Sequence, residues 1–323
     1  RFTTRTGAVL AVQERRNMFD ILEKLNILKK SVQKKKPGMH RLHFRFFRYI
    51  YCKSCHKTHT NSRADAPSSV VPVRLPSRNL LRFLFYDRVL PILYPRNCPV
   101  CGVLLPYGDY VCSKCAPQLP YVQEPTCLSC GKPVSSREQE YCYDCRIFPK
   151  SFRSGLALFL YNEKTRPAMT AFKYKNRRVL SQFFVREIFS RHAADILRRK
   201  PDVLVPVPIH SHKRRLRGYN QAELLARDLS VLLHIPCLSH LLLRTVDTPP
   251  QKALRPQARL NNLQDAFMVN PACRKEITGI NTVLLIDDIY TTGATMEICT
   301  RILHAAGVTN VYIYSVCIGV SRD

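Results

Sequence analysis

The chain has 323 residues, enough for two domains and a sizeable core, and its 51 Lys+Arg against 23 Asp+Glu give a formal charge of +28. Such a surplus suits a nucleic acid or another polyanion as partner. No apolar run is long enough to span a bilayer, and the basic N-terminus lacks the apolar core and cleavage site of a signal peptide.

Residues 1–78 differ from the remainder of the chain, with 18 Lys/Arg against 4 Asp/Glu. Phe19, Leu22, Leu25 and Leu28 are spaced for a helix over Asn17–Val32, and Lys34–Lys36, Pro37 and Gly38 end it. His40–Tyr51 is basic and aromatic, and Ala64–Ser77 has the Pro, Ser and Val content of a linker. The segment is a basic arm or upstream sequence outside the functional protein; the recognisable pattern starts near Asn79, which favours the second. Cys52-Lys-Ser-Cys55-His56 has the spacing of covalent haem attachment. That chemistry needs export, so chance or an adventitious metal site with His59 is the better reading.

Leu80–Leu93 is a short amphipathic lead into a cysteine module. Ten of the fourteen cysteines fall in Cys-x-x-Cys pairs, the spacing for gripping a metal in a reducing compartment, which points to the cytoplasm. Cys98-x2-Cys101-x10-Cys112-x2-Cys115 is followed by Cys127-x2-Cys130-x11-Cys142-x2-Cys145. Four thiolates with no open position suit structural zinc, with iron a lesser alternative. Two ions are expected; whether each run of four binds its own or the runs interleave is open. Gly102 and Gly131 each follow a knuckle, where the turn needs an unhindered backbone. Residues 79–148 thus read as a double zinc ribbon. Cys237, Cys273, Cys299 and Cys317 lie in apolar surroundings and are expected as small core residues.

Residues 149–323 alternate strand and helix. Strands are expected at Phe152–Tyr161, Val203–Val207, Val283–Ile286 and Val311–Cys317. Helices are expected at Thr165–Tyr174, Arg178–Arg199 and Asn220–Leu233, and after Thr295 with Ile298, Ile302 and Ala306 on one face. Thr248–Leu263 is polar and reads as a mobile loop. This alternation predicts an α/β fold with a mainly parallel sheet.

The stretch Val283–Thr295, VLLIDDIYTTGAT, carries the chemistry. A buried strand ends at two carboxylates, Asp287 and Asp288, suited to the hydroxyls of a sugar. Thr291, Thr292, Gly293, Ala294 and Thr295 then open a helix, whose free N–H groups and dipole favour a phosphate. The second half of the site is expected from Val203–Arg217, where a strand ends at prolines and meets a cationic loop. Lys213, Arg214, Arg215 and Arg217, with Lys173, are candidates to neutralise a pyrophosphate bridged by Mg²⁺. Phe172, Tyr174 and Tyr219 lie near these cations, to stack bases or to fill the core.

The thirteen residues resemble the signature by which type I phosphoribosyltransferases hold phosphoribosyl pyrophosphate. The wider order is the double four-Cys module, FKYKNRR, VLVPVPIHSHKRRLRGYNQAELLA, DTPPQKALRPQARLNNLQDAF and VLLIDDIYTTGAT. From Asn79 onward it resembles the ComF family of bacterial competence proteins and their GntX-type relatives. The resemblance implies a double zinc ribbon joined to a phosphoribosyltransferase-like domain. It implies a cytosolic role in natural transformation, handling incoming single-stranded DNA beside a helicase-like partner. It also implies that Asp287 and Asp288 hold the ribose hydroxyls, that Thr291–Thr295 cradle the 5-phosphate, and that Arg217–Gln221 and Thr248–Arg259 flank or cover the site. Two outcomes stay open: a DNA-handling protein with a retained sugar-phosphate site, or an active transferase to an unidentified base or amine.

Overall fold

The computed structural model describes residues 84–85, 89–247 and 266–320. The expected features of 1–78, with the Cys52–His56 pattern, and the Thr248–Leu263 loop lie outside those residues. The described residues belong to one compact unit.

The N-terminal module is nearly free of regular elements. Its described helices include α1 (Leu90–Leu93) and α2 (Tyr143–Ile147), each about one turn. Chain direction is set by knuckle turns, with Gly102 and Gly131 both left-handed at φ 78°.

The α/β part follows the expected alternation: β1 (Gly155–Leu160), α3 (Arg166–Tyr174), α4 (Leu180–Arg198), β2 (Val203–Pro206), α5 (Ser211–Arg217) and α6 (Gln221–Leu233). A short antiparallel hairpin of β3 (Leu242–Arg244) and β4 (Phe267–Val269) interrupts it. Then come α7 (Arg274–Ile277), β5 (Thr282–Tyr290), α8 (Ala294–Ala305) and β6 (Asn310–Ile318). The four long strands pair in the order β1-β6-β5-β2, all parallel. Continuous apolar runs such as Val283–Ile286 are what a sheet covered on both faces requires.

Alternation along the strands divides the core. Leu204, Leu284 and Tyr314 pack with α4 and α6 on one face. Val205, Leu285 and Ile313 pack with α8, the hairpin and the second set of cysteines on the other. Burying each such Leu or Ile contributes roughly 2 kcal/mol. Ile298 on α8 is buried as expected, but Cys299 and Leu303 are fully buried, while Ile302 and Ala306 sit at the margin. Cys273, Cys299 and Cys317 are buried, in line with their reading as core residues, and Cys237 is half-buried. Among the described residues, no helix is long and apolar enough to cross a membrane.

One sequence expectation is corrected. The cationic loop after β2 is a helix, α5, capped by the His210 side chain and ended by Gly218 at φ 75°. The helix places its charges on an exposed face, which hydropathy alone does not reveal.

Candidate sugar-phosphate site and zinc clusters

Strand β5 loses its neighbour before it ends. Its pairing with β2 stops at Ile286 opposite Pro206, while pairing with β6 continues to Tyr290. The acid pair therefore lies at the carboxyl end of the sheet, beside an opening where β2 has stopped, the usual place for a ligand in such sheets. Successive strand residues face opposite ways. Asp288 meets α3, with Lys173 Nζ 3.0 Å from Oδ1. Asp287 lies near Cys299 of α8 and within electrostatic reach of Arg244 on β3.

The two acids are electrostatically coupled although they face different neighbours. Burial, reinforced by the charge of Asp288, pushes the Asp287 carboxyl up to about 7, with Lys173 and Arg244 pulling the other way. Burial also works against the Lys173 ammonium, but the Asp288 carboxylate outweighs it and holds Lys173 above the usual lysine value. Burial lowers the Arg244 guanidinium, against the pull of Asp247 and Asp287. The result is two acids and two cations in one partly desolvated cluster.

Beyond Tyr290 the chain bends through Thr291, Thr292 and Gly293 and enters α8 at Ala294. Gly293 stands at the N-cap at φ 78°, with no side-chain cap on the helix. The first-turn amides have no partner within the helix and can receive an anion. Thr291 is exposed, Thr292 and Thr295 are half-buried, and Gly293 and Ala294 are buried.

The expected cations divide. Arg217 lies within electrostatic reach of Lys173 and sets its guanidinium 5.1 Å from the Tyr174 ring centroid. Lys213 instead meets Asp247 at 3.2 Å, alongside His212 at 2.8 Å. Arg214 pairs with Glu223 at 3.0 Å, and Arg215 is exposed. Of the three aromatics, Phe172 and Tyr219 are buried, so they are core and not base platforms; Tyr174 is 67% exposed.

Residues 217–221 act as a clamp beneath the site. The Tyr219 hydroxyl donates to the Phe172 carbonyl, and Gln221 Nε2 donates to the same oxygen at 3.3 Å. Asn220 Nδ2 donates to the Val207 carbonyl at 2.9 Å, while its Oδ1 caps α6. The end of α3, with Lys173, is thereby fastened to the end of β2. Two residues escaped the sequence reading. Arg244 is remote from the motif in sequence, and no spacing links it to Asp287. Tyr290 lies inside the motif, where its aromatic size was the available signal.

The eight cysteines form two separate clusters, each from one run of four, which resolves their pairing. Cys98, Cys101, Cys112 and Cys115 bring their sulfurs within 4.8 Å of one another, as do Cys127, Cys130, Cys142 and Cys145. Cys101 and Cys112 Sγ are 3.7 Å apart, and Cys130 and Cys142 Sγ are 3.6 Å apart. A tetrahedron with ~2.3 Å Zn–S bonds has edges of ~3.8 Å, so both donor sets fit structural zinc.

A four-stranded parallel α/β sheet preceded by two tetracysteine clusters defines the kind of protein this is. The family model described as double zinc ribbon domain matches residues 89–146. The chain is 30% identical over 210 residues to competence protein ComFC of Bacillus subtilis, covering 63% of this chain and 82% of that one. It is 29% identical over 211 residues to competence protein F of Haemophilus influenzae, covering 63% and 88%. DNA utilization protein YhgH of Escherichia coli K12 is 27% identical over 228 residues, covering 69% and 97%. The chain belongs to the ComF/ComFC family.

Proposed function

We propose that this protein handles single-stranded DNA during competence and DNA uptake in the cytosol, and that it holds phosphoribosyl pyrophosphate with Mg²⁺ at the end of β5. The carrying observation is the juxtaposition of Asp287, Asp288 and Lys173 with the uncapped N-terminus of α8. In this reading the two carboxylates accept from the ribose hydroxyls, and the Thr291–Thr295 amides and hydroxyls bind the 5-phosphate. Lys173, Arg217 and Arg244 balance the charge of the pyrophosphate, and Mg²⁺ would neutralise and bridge its oxygens. Residues 79–148 and 149–323 would be the ribbon and the sugar-phosphate domain. The relatives named competence proteins and DNA utilization protein support the DNA role, as does the surplus of 28 positive charges. A helicase-like partner follows from the family resemblance.

Exposed Tyr174, with Arg217 against its ring, favours base stacking at the mouth of the site. The same face would serve a base acceptor, so transfer of the phosphoribosyl group is the second reading. Two titrations test both, one with phosphoribosyl pyrophosphate plus Mg²⁺ and one with oligo-dT. Oligo-dT affinity should fall several-fold between ~50 and ~200 mM salt, and no binding at low salt would sink the DNA role. Asp287→Asn with Asp288→Asn should abolish sugar-phosphate binding while both zincs stay, and retained binding would refute the site. Pyrophosphate release that depends on an added nucleobase would establish the transferase.

A further inference from the structure

We infer that Tyr290 is a positioning residue through which zinc in the second cluster shapes the phosphate loop. The inference rests on the proposed role of that loop. Tyr290 ends β5, is 3% exposed, and shares one buried cluster with Cys127, Cys130, Cys142, Cys145 and Ala294. Its ring is the floor of the loop. A Cβ on Gly293 would stand 2.2 Å from the Tyr290 hydroxyl oxygen, 2.6 Å from Cζ and 2.9 Å from Cε2. Gly293 is therefore required twice, by its φ of 78° and by the ring beneath it.

The ring also lies against the second ribbon. Lys132, 2% exposed, lies 5.9 Å from the ring centroid and pairs with Asp144 at 2.5 Å. Cys130, Cys142 and Cys145 are within electrostatic reach. Among the described residues, the buried Tyr290 hydroxyl has no hydrogen-bond partner. Packing against both the loop and the ribbon thus fixes the ring. A second link runs parallel to it. Ser151, just after the ribbon, donates from N and Oγ to Glu297 in the first turn of α8, at 2.8 and 2.6 Å. His304 Nε2 lies 3.2 Å from the Ser151 carbonyl.

A ribbon with little core of its own keeps its shape through its ion. When the second cluster loses zinc, the wall behind Tyr290 goes, and the floor under Gly293 goes with it. Among the described residues the first cluster has no such route: Cys101 is exposed, and a Cβ at Gly102 would meet nothing within 4 Å.

Hydrogen exchange of the 291–296 amides reads this directly, on the full chain carrying both zincs. Chelator is added stepwise, and alkylation identifies which cysteines have been released. Release of Cys98–Cys115 should leave exchange at 291–296 unchanged. Release of Cys127–Cys145 should raise it roughly tenfold while the β6 amides stay protected. Tyr290→Ala should raise it equally with both zincs bound and weaken phosphoribosyl pyrophosphate binding more than about tenfold; Tyr290→Phe should restore both. Unchanged exchange after loss of the second zinc, wild-type protection in Tyr290→Ala, or simultaneous loss of protection in β6 would each overturn the inference. If the wild-type chain binds no sugar phosphate, the proposed function fails, while the exchange data still decide the role of Tyr290.

Discussion

The two zinc clusters share a spacing to within one residue and share a φ of 78° at the knuckle glycine, yet they sit in different surroundings. In the first, Cys98 is buried, Cys112 and Cys115 are half-buried and Cys101 is exposed; in the second all four are buried. The first is attached through side chains. The guanidiniums of Arg96 and Arg186 lie 4.2 and 5.1 Å from the Tyr110 ring centroid, so the contact to α4 is a cation–π one. The second is attached through backbone. A Cβ at Gly131 would stand 2.8 Å from the Gly155 carbonyl oxygen, and one at Gly155 would stand 2.7 Å from that of Cys130. The segment between the clusters joins the sheet as well, with Val122 N–H donating to the Leu158 carbonyl and Tyr121 Oη donating to Glu187 at 2.6 Å. Equal spacing therefore gives equal ligand sets but unequal roles. One ribbon is an appendage, and the other is part of the α/β core.

Loss of a ligand should break this comparison most visibly. Cys130→Ser is expected to destabilise the α8 side of the sheet by about 2 kcal/mol without unfolding β6, because it leaves a buried thiolate set without its ion. Cys101→Ser should release one zinc and cost the α/β part less than about 1 kcal/mol. Denaturant melts beside zinc stoichiometry measure both, and equal losses would erase the distinction. The knuckle glycines give a cleaner pair. Gly102→Ala meets open space and should cost only left-handed strain, about 1–2 kcal/mol. Gly131→Ala carries the same strain plus a clash with backbone that cannot yield, and should cost about 3 kcal/mol or more.

A pH series sharpens what the second ribbon's face of the sheet supports. The folded Asp287 carboxyl titrates at about 7 and the unfolded one at 3.8. The raised value means its contribution to stability is fully present below 3.8 and lost as pH rises through 7. Binding runs the other way, since ribose hydroxyls need the carboxylate. Phosphoribosyl pyrophosphate affinity should fall toward tenfold per pH unit below the midpoint, by calorimetry at pH 6, 7 and 8. Asp287→Asn should be weak and lack that midpoint. The smallest effect is expected at the first ribbon's tether. Arg186→Met should cost about 0.5–1 kcal/mol, seen as a shift in thermal midpoint with both zincs retained.

Much of this was legible in the sequence because it is local. The apolar run Val283–Ile286 specifies a buried strand, the knuckle spacings specify thiolate clusters, and Asn220 marks the start of α6. The continuation of β5 to Tyr290 was not legible, because Asp287 and Asp288 look like the end of a strand until β6 is there to pair with them. Nor was α5, whose HKRRLR run has no apolar face to give it a helical period. Lys213 and Arg214 are candidates for a pyrophosphate in the sequence, and the acids that meet them, Asp247 and Glu223, lie elsewhere in the chain.

The sequence by itself determined the ligand sets, the alternation of strands and helices, and the acid–loop motif, since each depends on spacing within a short stretch. Tertiary structure alone decided that Lys173 rests on Asp288, that Arg244 comes within reach of Asp287, and that one tetracysteine ribbon packs beside Tyr290 and Ala294 while its twin stands apart. Those facts depend on which backbones approach closely enough to require two glycines, a property that no spacing records.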